Sequence, residues 1–211
     1  KFNPDIICLP ECANIMTANK SHLVKHATLQ KDCPVLEECI QFAKKYNKFV
    51  SVGSLLLKKN NSSKLLNRSF FINHSGKIMA YYDKIHLFDV SVNDNTGSYK
   101  ESRFTQPGEQ VVVAQTPIGN IGLAVCYDVR FPGLFTAMGD IDILVLPAAF
   151  TQKTGEAHWH TLVKARAIEK QCYVVAANQT GVHQNGRETF GHSLIVSPWG
   201  ETLADAGWSG A

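Results

Sequence analysis

Apolar residues in this chain fall into short runs separated by clusters of Asn, Ser, Gly and charged residues. Residues 5–9 (DIICL), 49–57 (FVSVGSLLL), 68–73 (RSFFIN) and 77–83 (KIMAYYD) read as strands. Turns at 58–64 (KKNNSSK) and 73–77 (NHSGK) separate the last three, which predicts a meander of neighbouring strands. The runs QVVVAQ, GNIGLAVC, IDILVLP, CYVVAAN and HSLIVS continue the strand pattern. Two stretches carry the helical period instead. Residues 33–48 place Pro34 in the first turn, with Val35, Cys39, Phe42 and Tyr46 along one stripe. Residues 154–171 offer Thr154 as a cap and space Leu162, Ala165 and Ile168 for a helix. Residues 14–30 predict a further helix. Strands interleaved with helices, without linker, repeat or low-complexity segment, predict one α/β domain over residues 1–211 with a mixed sheet.

Composition narrows the function. The 211 residues are 45% hydrophobic and 18% charged, which suits a globular core. A net charge of +3 is too small to point to nucleic acid. The longest apolar run, residues 141–150, contains Asp142 and Pro147 and is too short to span a bilayer. None of the six cysteines forms a C-x-x-C pair, and their spacing suggests no zinc site. The expectation is a reduced, cytoplasmic chain with no signal peptide.

Three strands end abruptly in a reactive group: IICLPE at Glu11, YYDK at Lys84 and LAVC at Cys126. Strand ends of an α/β fold are where sites collect. A thiol nucleophile, an ammonium that lowers its pKa and stabilises an oxyanion, and a carboxylate base make a hydrolytic set. Burial behind IICLP is expected to raise the Glu11 pKa. Each residue also has an ordinary reading, as a core thiol, a surface or capping carboxylate and a solvated lysine. Local pattern alone does not bring the three together.

The blocks LPE, YDKIHLFDV, ESRFTQPG, GLAVCYDVRFP, LVLPAAFT, AHWHTLVKARAIE and PWG resemble, in order and over nearly the whole chain, those of the carbon–nitrogen hydrolase (nitrilase) superfamily. The resemblance implies a catalytic triad of Glu11, Lys84 and Cys126, with Glu101 as a second carboxylate that supports the lysine. It implies an αββα sandwich that dimerises, or assembles further, through its helices, and no metal or organic cofactor. The superfamily has a strand before LPE's own and another after PWGETLADAG; residues 1–211 read as lacking both. Tyr127-Asp128 after the cysteine, in place of the Trp-Glu of true nitrilases, is similar to the Nit amidase branch. That branch implies hydrolysis of the amide of a small keto acid, deaminated glutathione first, through a thioester, with the backbone N–H of Tyr127 in the oxyanion hole. Alternatives are a general ω-amidase on α-ketoglutaramate, an N-carbamoyl amide hydrolase, or a non-catalytic scaffold. Gly133 stands where relatives carry Glu, Ala148 where Ser is common, and the segment after Pro132 is short.

The remaining signals are weaker. His158 and His160, two apart on a helix, point to different sides, and no third ligand follows at metal spacing, so both read as packing or pocket residues. Arg130 pairs with Asp128 as a brace or holds a substrate carboxylate. His158 is the other candidate substrate contact. Trp159 reads as core, and Arg166 with Glu169 as helix support. Neither a dinucleotide fingerprint nor a G-x-S-x-G elbow is present.

Overall fold

A strand buried on both faces must lie between two layers, and residues 49–58 are such a strand. In the computed structural model, which describes residues 3–17, 19–94, 96–183 and 186–208, β1 (Ile6–Cys8), β2 (Phe49–Lys58), β3 (Leu65–Ile72) and β4 (Ile78–Asp83) form one sheet in that order. β1 runs parallel to β2, and the other pairs are antiparallel, as the meander predicts. Side chains alternate along these strands. Phe70 and Ile72 of β3 join Val50, Val52, Leu55 and Leu57 of β2 on one face, while Phe49 and Phe71 point to the other.

Helix α1 (Lys20–His26) lies inside the stretch predicted for it. Helix α2 (Pro34–Tyr46) covers the outer face of the first sheet through Leu36, Cys39 and Ala43. The buried stripe runs through Leu36, Cys39 and Ala43, with Val35 and Phe42 partly buried against it, and leaves out Tyr46. Tyr46 is half exposed and rests against Phe42 at the surface, with ring centroids 4.5 Å apart. The short hairpin of β5 (Asp89–Ser91) and β6 (Ser98–Lys100) follows.

The second sheet comprises β7 (Val113–Thr116), β8 (Gly119–Leu123), β9 (Ile143–Val145), β10 (Tyr173–Ala176), β13 (Leu194–Val196) and β14 (Thr202–Asp205), ordered β14-β13-β10-β9-β8-β7. Its centre, β8-β9-β10, is parallel, and its flanks are antiparallel. Between β10 and β13 lies a second hairpin, β11 (Thr180–Val182) with β12 (Glu188–Phe190). Helices α3 (Pro132–Ala137) and α4 (Gln152–Lys170) pack on the outer face. The cap of α4 is Thr151, which accepts from Thr154 N, so the helix starts earlier than predicted. Its buried residues Gly155, Trp159, Val163 and Ala167 repeat every four positions, and Ile168 is exposed.

Phe49, Phe71 and Tyr82 from the first sheet share one buried cluster with Ile121, Leu123 and Val145 from the second. At about 1.5–3 kcal/mol per large apolar side chain, this shared layer is the main force holding the sheets face to face. The order is helix, sheet, sheet, helix: an αββα sandwich of the expected class.

Candidate active site

Each predicted triad residue lies just beyond a strand. Glu11 follows β1 by three residues, Lys84 follows β4 directly, and Cys126 opens a 3-10 turn, Cys126–Arg130, after β8. Two close backbone approaches hold the first two in place. A Cβ at Gly53 of β2 would lie 2.0 Å from the carbonyl oxygen of Pro10, and one at Gly108 would lie 2.1 Å from that of Asp83. Only glycine lets the chain pass so near the residues preceding Glu11 and Lys84. Gly108 N also donates to Lys84 O at 2.8 Å.

The side chains converge. Lys84 Nζ lies 2.8 Å from Glu11 Oε1 and 2.9 Å from Glu101 Oε2. Asn67 Nδ2 spans the two carboxylates, donating to Glu11 Oε1 at 3.0 Å and Glu101 Oε1 at 2.9 Å. Backbone amides complete the set: Ala149 N donates to Glu11 Oε2 at 3.0 Å, and Phe88 N to Glu101 Oε2 at 2.8 Å. Glu11, Lys84 and Cys126 are all at most 5% exposed.

Cys126 adopts a left-handed backbone with φ of 51°, uncommon for a residue with a side chain. Its amide donates to Pro147 O at 2.8 Å. The buried Asp128 carboxylate fixes the turn by accepting from Val125 N at 2.8 Å, the Tyr82 hydroxyl at 2.8 Å and His86 N at 3.0 Å, with His86 Nδ1 at 2.8 Å. Asp128 therefore braces the turn against the strand that delivers Lys84, not against Arg130. Tyr127, second in the turn, has a first-turn amide without an intrahelical acceptor.

Charge inside the cluster reverses two expectations. Burial pushes the Glu11 pKa up, but the Lys84 charge and its hydrogen bond more than compensate and hold the carboxyl below its ordinary value. Burial depresses the Lys84 ammonium, yet Glu101 and Glu11 together raise it well above normal. For Cys126, burial and the neighbouring Glu11 charge raise the thiol well above its ordinary value despite Lys84. Two carboxylates facing one ammonium leave the cluster net negative, so a thiolate is disfavoured. The surroundings favour a neutral thiol beside an ionised carboxylate.

These groups open into a cavity of about 470 Å³. Ile15, Leu23, Phe88, Tyr99 and Phe150 give it apolar walls, and Lys100, Arg103 and Arg187 add positive charge. Arg130 and His158 do come together, with Arg130 Nη2 3.1 Å from His158 Nδ1, but neither lines the cavity. The Arg130 guanidinium sits behind the wall, 5.5 Å from the Phe150 ring and 5.8 Å from the Tyr127 ring. His160 turns away toward Asp205. Trp159 is fully buried, and Arg166 pairs with Glu169 at 2.6 Å, as expected. Sequence reasoning missed Asn67 and Arg187. Asn67 shows only as a polar residue inside a buried strand; Arg187, in a loop, gave no signal.

A buried thiol, ammonium and carboxylate with a second, partly buried carboxylate at the strand ends of an αββα sandwich make a hydrolytic set, and similarity to known proteins shows a hydrolase acting on carbon–nitrogen bonds. The chain belongs to the carbon-nitrogen hydrolase family, whose profile matches residues 1–211. It is 42% identical over 201 residues to the deaminated glutathione amidase of Yersinia enterocolitica, covering 94% of this chain and 70% of that one. Among solved structures it is similar to the Caenorhabditis elegans NitFhit protein (TM-score 0.87, 40% identity), covering 97% of this chain and half of that longer chain. It is also similar to Saccharomyces cerevisiae Nit3, a member of branch 10 of the nitrilase superfamily (TM-score 0.83, 28% identity), covering 98% of this chain and 74% of that one.

Proposed function

We propose that this chain is a cysteine-dependent amidase that releases ammonia from the amide of a small keto acid, with deaminated glutathione as its substrate. The observation that carries the reading is the 2.8 Å contact of Lys84 with Glu11 at a cavity that Cys126 also lines, where both charges act on the thiol. Glu11, Lys84 and Cys126 are the catalytic residues, and Glu101 holds the lysine. The 42% identity to a protein of that activity supports the choice of substrate, and the cationic cavity suits an acidic one.

Chemistry follows from the resting charges. As the Cys126 sulfur attacks the amide carbonyl, its proton passes to Glu11, and the C–S bond forms. Negative charge moves to the carbonyl oxygen, which Lys84 and the Tyr127 amide stabilise. Turning Lys84 toward that oxyanion weakens its hold on Glu11, so the carboxylate becomes more basic as the proton arrives. Glu11 then gives this proton to the leaving nitrogen; the C–N bond breaks, and ammonia departs. Glu11 takes a proton from water, hydroxide adds to the thioester, and the acid leaves as sulfur regains its proton. None of these steps is routed through a cofactor.

The protein works in the cytoplasm as a homodimer or higher homo-oligomer on a small-molecule amide, not on nucleic acid or membranes. All six cysteines are free, and among the described residues no helix is long and apolar enough to cross a membrane. Ile168 packs against the Gly200 turn beside Trp199, which is 90% exposed, giving the outer face apolar surface for a second copy. Ammonia release from deaminated glutathione and from α-ketoglutaramate tests the substrate. A higher kcat/KM on the first is expected; preference for the second, or no ammonia from either, overturns the reading.

A further inference from the structure

Away from the cavity, three metal-ligating side chains from distant parts of the sequence meet at the surface. His160 lies on α4, His192 between β12 and β13, and Asp205 at the end of β14. His160 Nε2 stands 3.0 Å from Asp205 Oδ2, and His192 Nδ1 lies 2.9 and 3.1 Å from the two Asp205 oxygens. One ligand atom from each residue falls within 4.8 Å of the others. None of the three lines the cavity.

We propose that His160, His192 and Asp205 bind a divalent transition-metal ion, Zn²⁺ in the first instance. Two imidazole nitrogens with one carboxylate suit Zn²⁺, and they disfavour the all-oxygen ions Ca²⁺ and Mg²⁺. Bonds of about 2.0–2.1 Å in a tetrahedron place ligand atoms about 3.3 Å apart. The Asp205 contacts are within a few tenths of an ångström of that spacing, and the two imidazoles, within 4.8 Å of each other, would have to close further as the ion binds. Coordination replaces the His–Asp hydrogen bonds and shifts each imidazole proton to the other ring nitrogen. The three side chains are 26–37% exposed, which leaves a fourth position open to water.

The supporting groups are already in place. The Phe190 ring stacks on His192 with centroids 4.4 Å apart and meets His160 edge-on at 5.9 Å. The His192 carbonyl accepts from the Trp159 indole at 2.8 Å, and its amide donates to Gly207 O at 2.7 Å. Asp205 Oδ1 also accepts from Gly207 N at 2.8 Å. Such outer contacts orient ligands before the ion arrives. The ion would join α4 to β14, the edge strand of the second sheet, and stabilise the fold without entering the chemistry.

The test is titration of the chelator-stripped protein with Co²⁺, followed by visible absorption, then competition with Zn²⁺ and thermal unfolding with and without Zn²⁺. One equivalent should bind, Tm should rise by a few degrees, and His160→Gln and Asp205→Asn should each weaken binding at least roughly tenfold. His160→Gln sits at a partly exposed helix position and keeps the fold, as circular dichroism will verify. His192→Asn retains a side chain that tolerates a positive φ and should behave likewise. Ammonia release by the metal-free variants should stay within about twofold of the parent. Binding unchanged in His160→Gln, which would place the ion on cysteines, or no saturable binding by the parent, overturns the proposal.

Discussion

The Tyr82 hydroxyl donates to the Asp128 carboxylate at 2.8 Å, joining the end of β4 to the turn that opens with Cys126. Lys84 lies between Tyr82 and His86, which also contacts Asp128, so these bonds together set the spacing between the ammonium and the thiol. Tyr82 is fully buried, and burial together with the Asp128 charge raises its pKa far beyond the ordinary phenol range, so it remains a donor. Tyr82→Phe should cost about 1–3 kcal/mol, read from urea unfolding, and lower kcat more than it raises KM.

Cys126→Ala should leave the fold intact and remove ammonia release by at least about 10³-fold. Undiminished turnover in a correctly folded variant would end the proposed mechanism.

Lys84→Met leaves buried Glu11 and partly buried Glu101 facing each other without a counter-charge. A loss of about 3–5 kcal/mol of stability is expected, measured by chemical denaturation. Adding Glu11→Gln in the same chain should restore part of it, because one of the two like charges is gone.

Acid should destabilise the protein through Glu11. Its folded pKa lies below the ordinary 4.5, so its contribution is complete above that value and is lost as pH falls through the folded pKa. Asp205 adds a second loss: burial acts against its charge, but bonds from His160, Gly207 and His192 take it from 3.8 to about 2. Lys84, raised well above 10.5, contributes fully below 10.5 and loses its contribution as pH rises through its folded value. Because the Cys126 thiol also lies well above 9.0, kcat/KM should show no rise near pH 9. Melting temperatures and rates across pH, with Glu11→Gln as control, check both signs.

Gly53→Ala places a methyl group 2.0 Å from the Pro10 carbonyl oxygen, a backbone atom that cannot turn aside. The strand or the Glu11 segment must shift. A cost of at least about 1–3 kcal/mol and a fall in kcat are expected from unfolding curves and steady-state rates.

Much of this was legible in the chain. The meander of β2, β3 and β4 shows in its turn chemistry, and Glu11, Lys84 and Cys126 in the ends of short apolar runs; Glu101, which follows the polar stretch NTGSYK, comes only from the family resemblance. The buried stripe of α4 was misplaced because Ile168 and Leu162 look as apolar as Val163, and only the sheet beneath decides which side is covered. The hairpins β5-β6 and β11-β12 have three-residue strands, too short for periodicity to register. Asn67 and Asp128 were not assigned their roles because a buried polar residue reveals its purpose only through partners; Tyr82 is 46 positions from Asp128. The same distance hid Asp205, which is 45 positions from His160.

The un-ionised sulfur of Cys126 has a consequence outside turnover. Peroxides and other oxidants attack sulfur chiefly as its anion. On the proposed role, a Cys126 that keeps its proton between substrates should therefore lose activity to peroxide more slowly than a cysteine held as the anion.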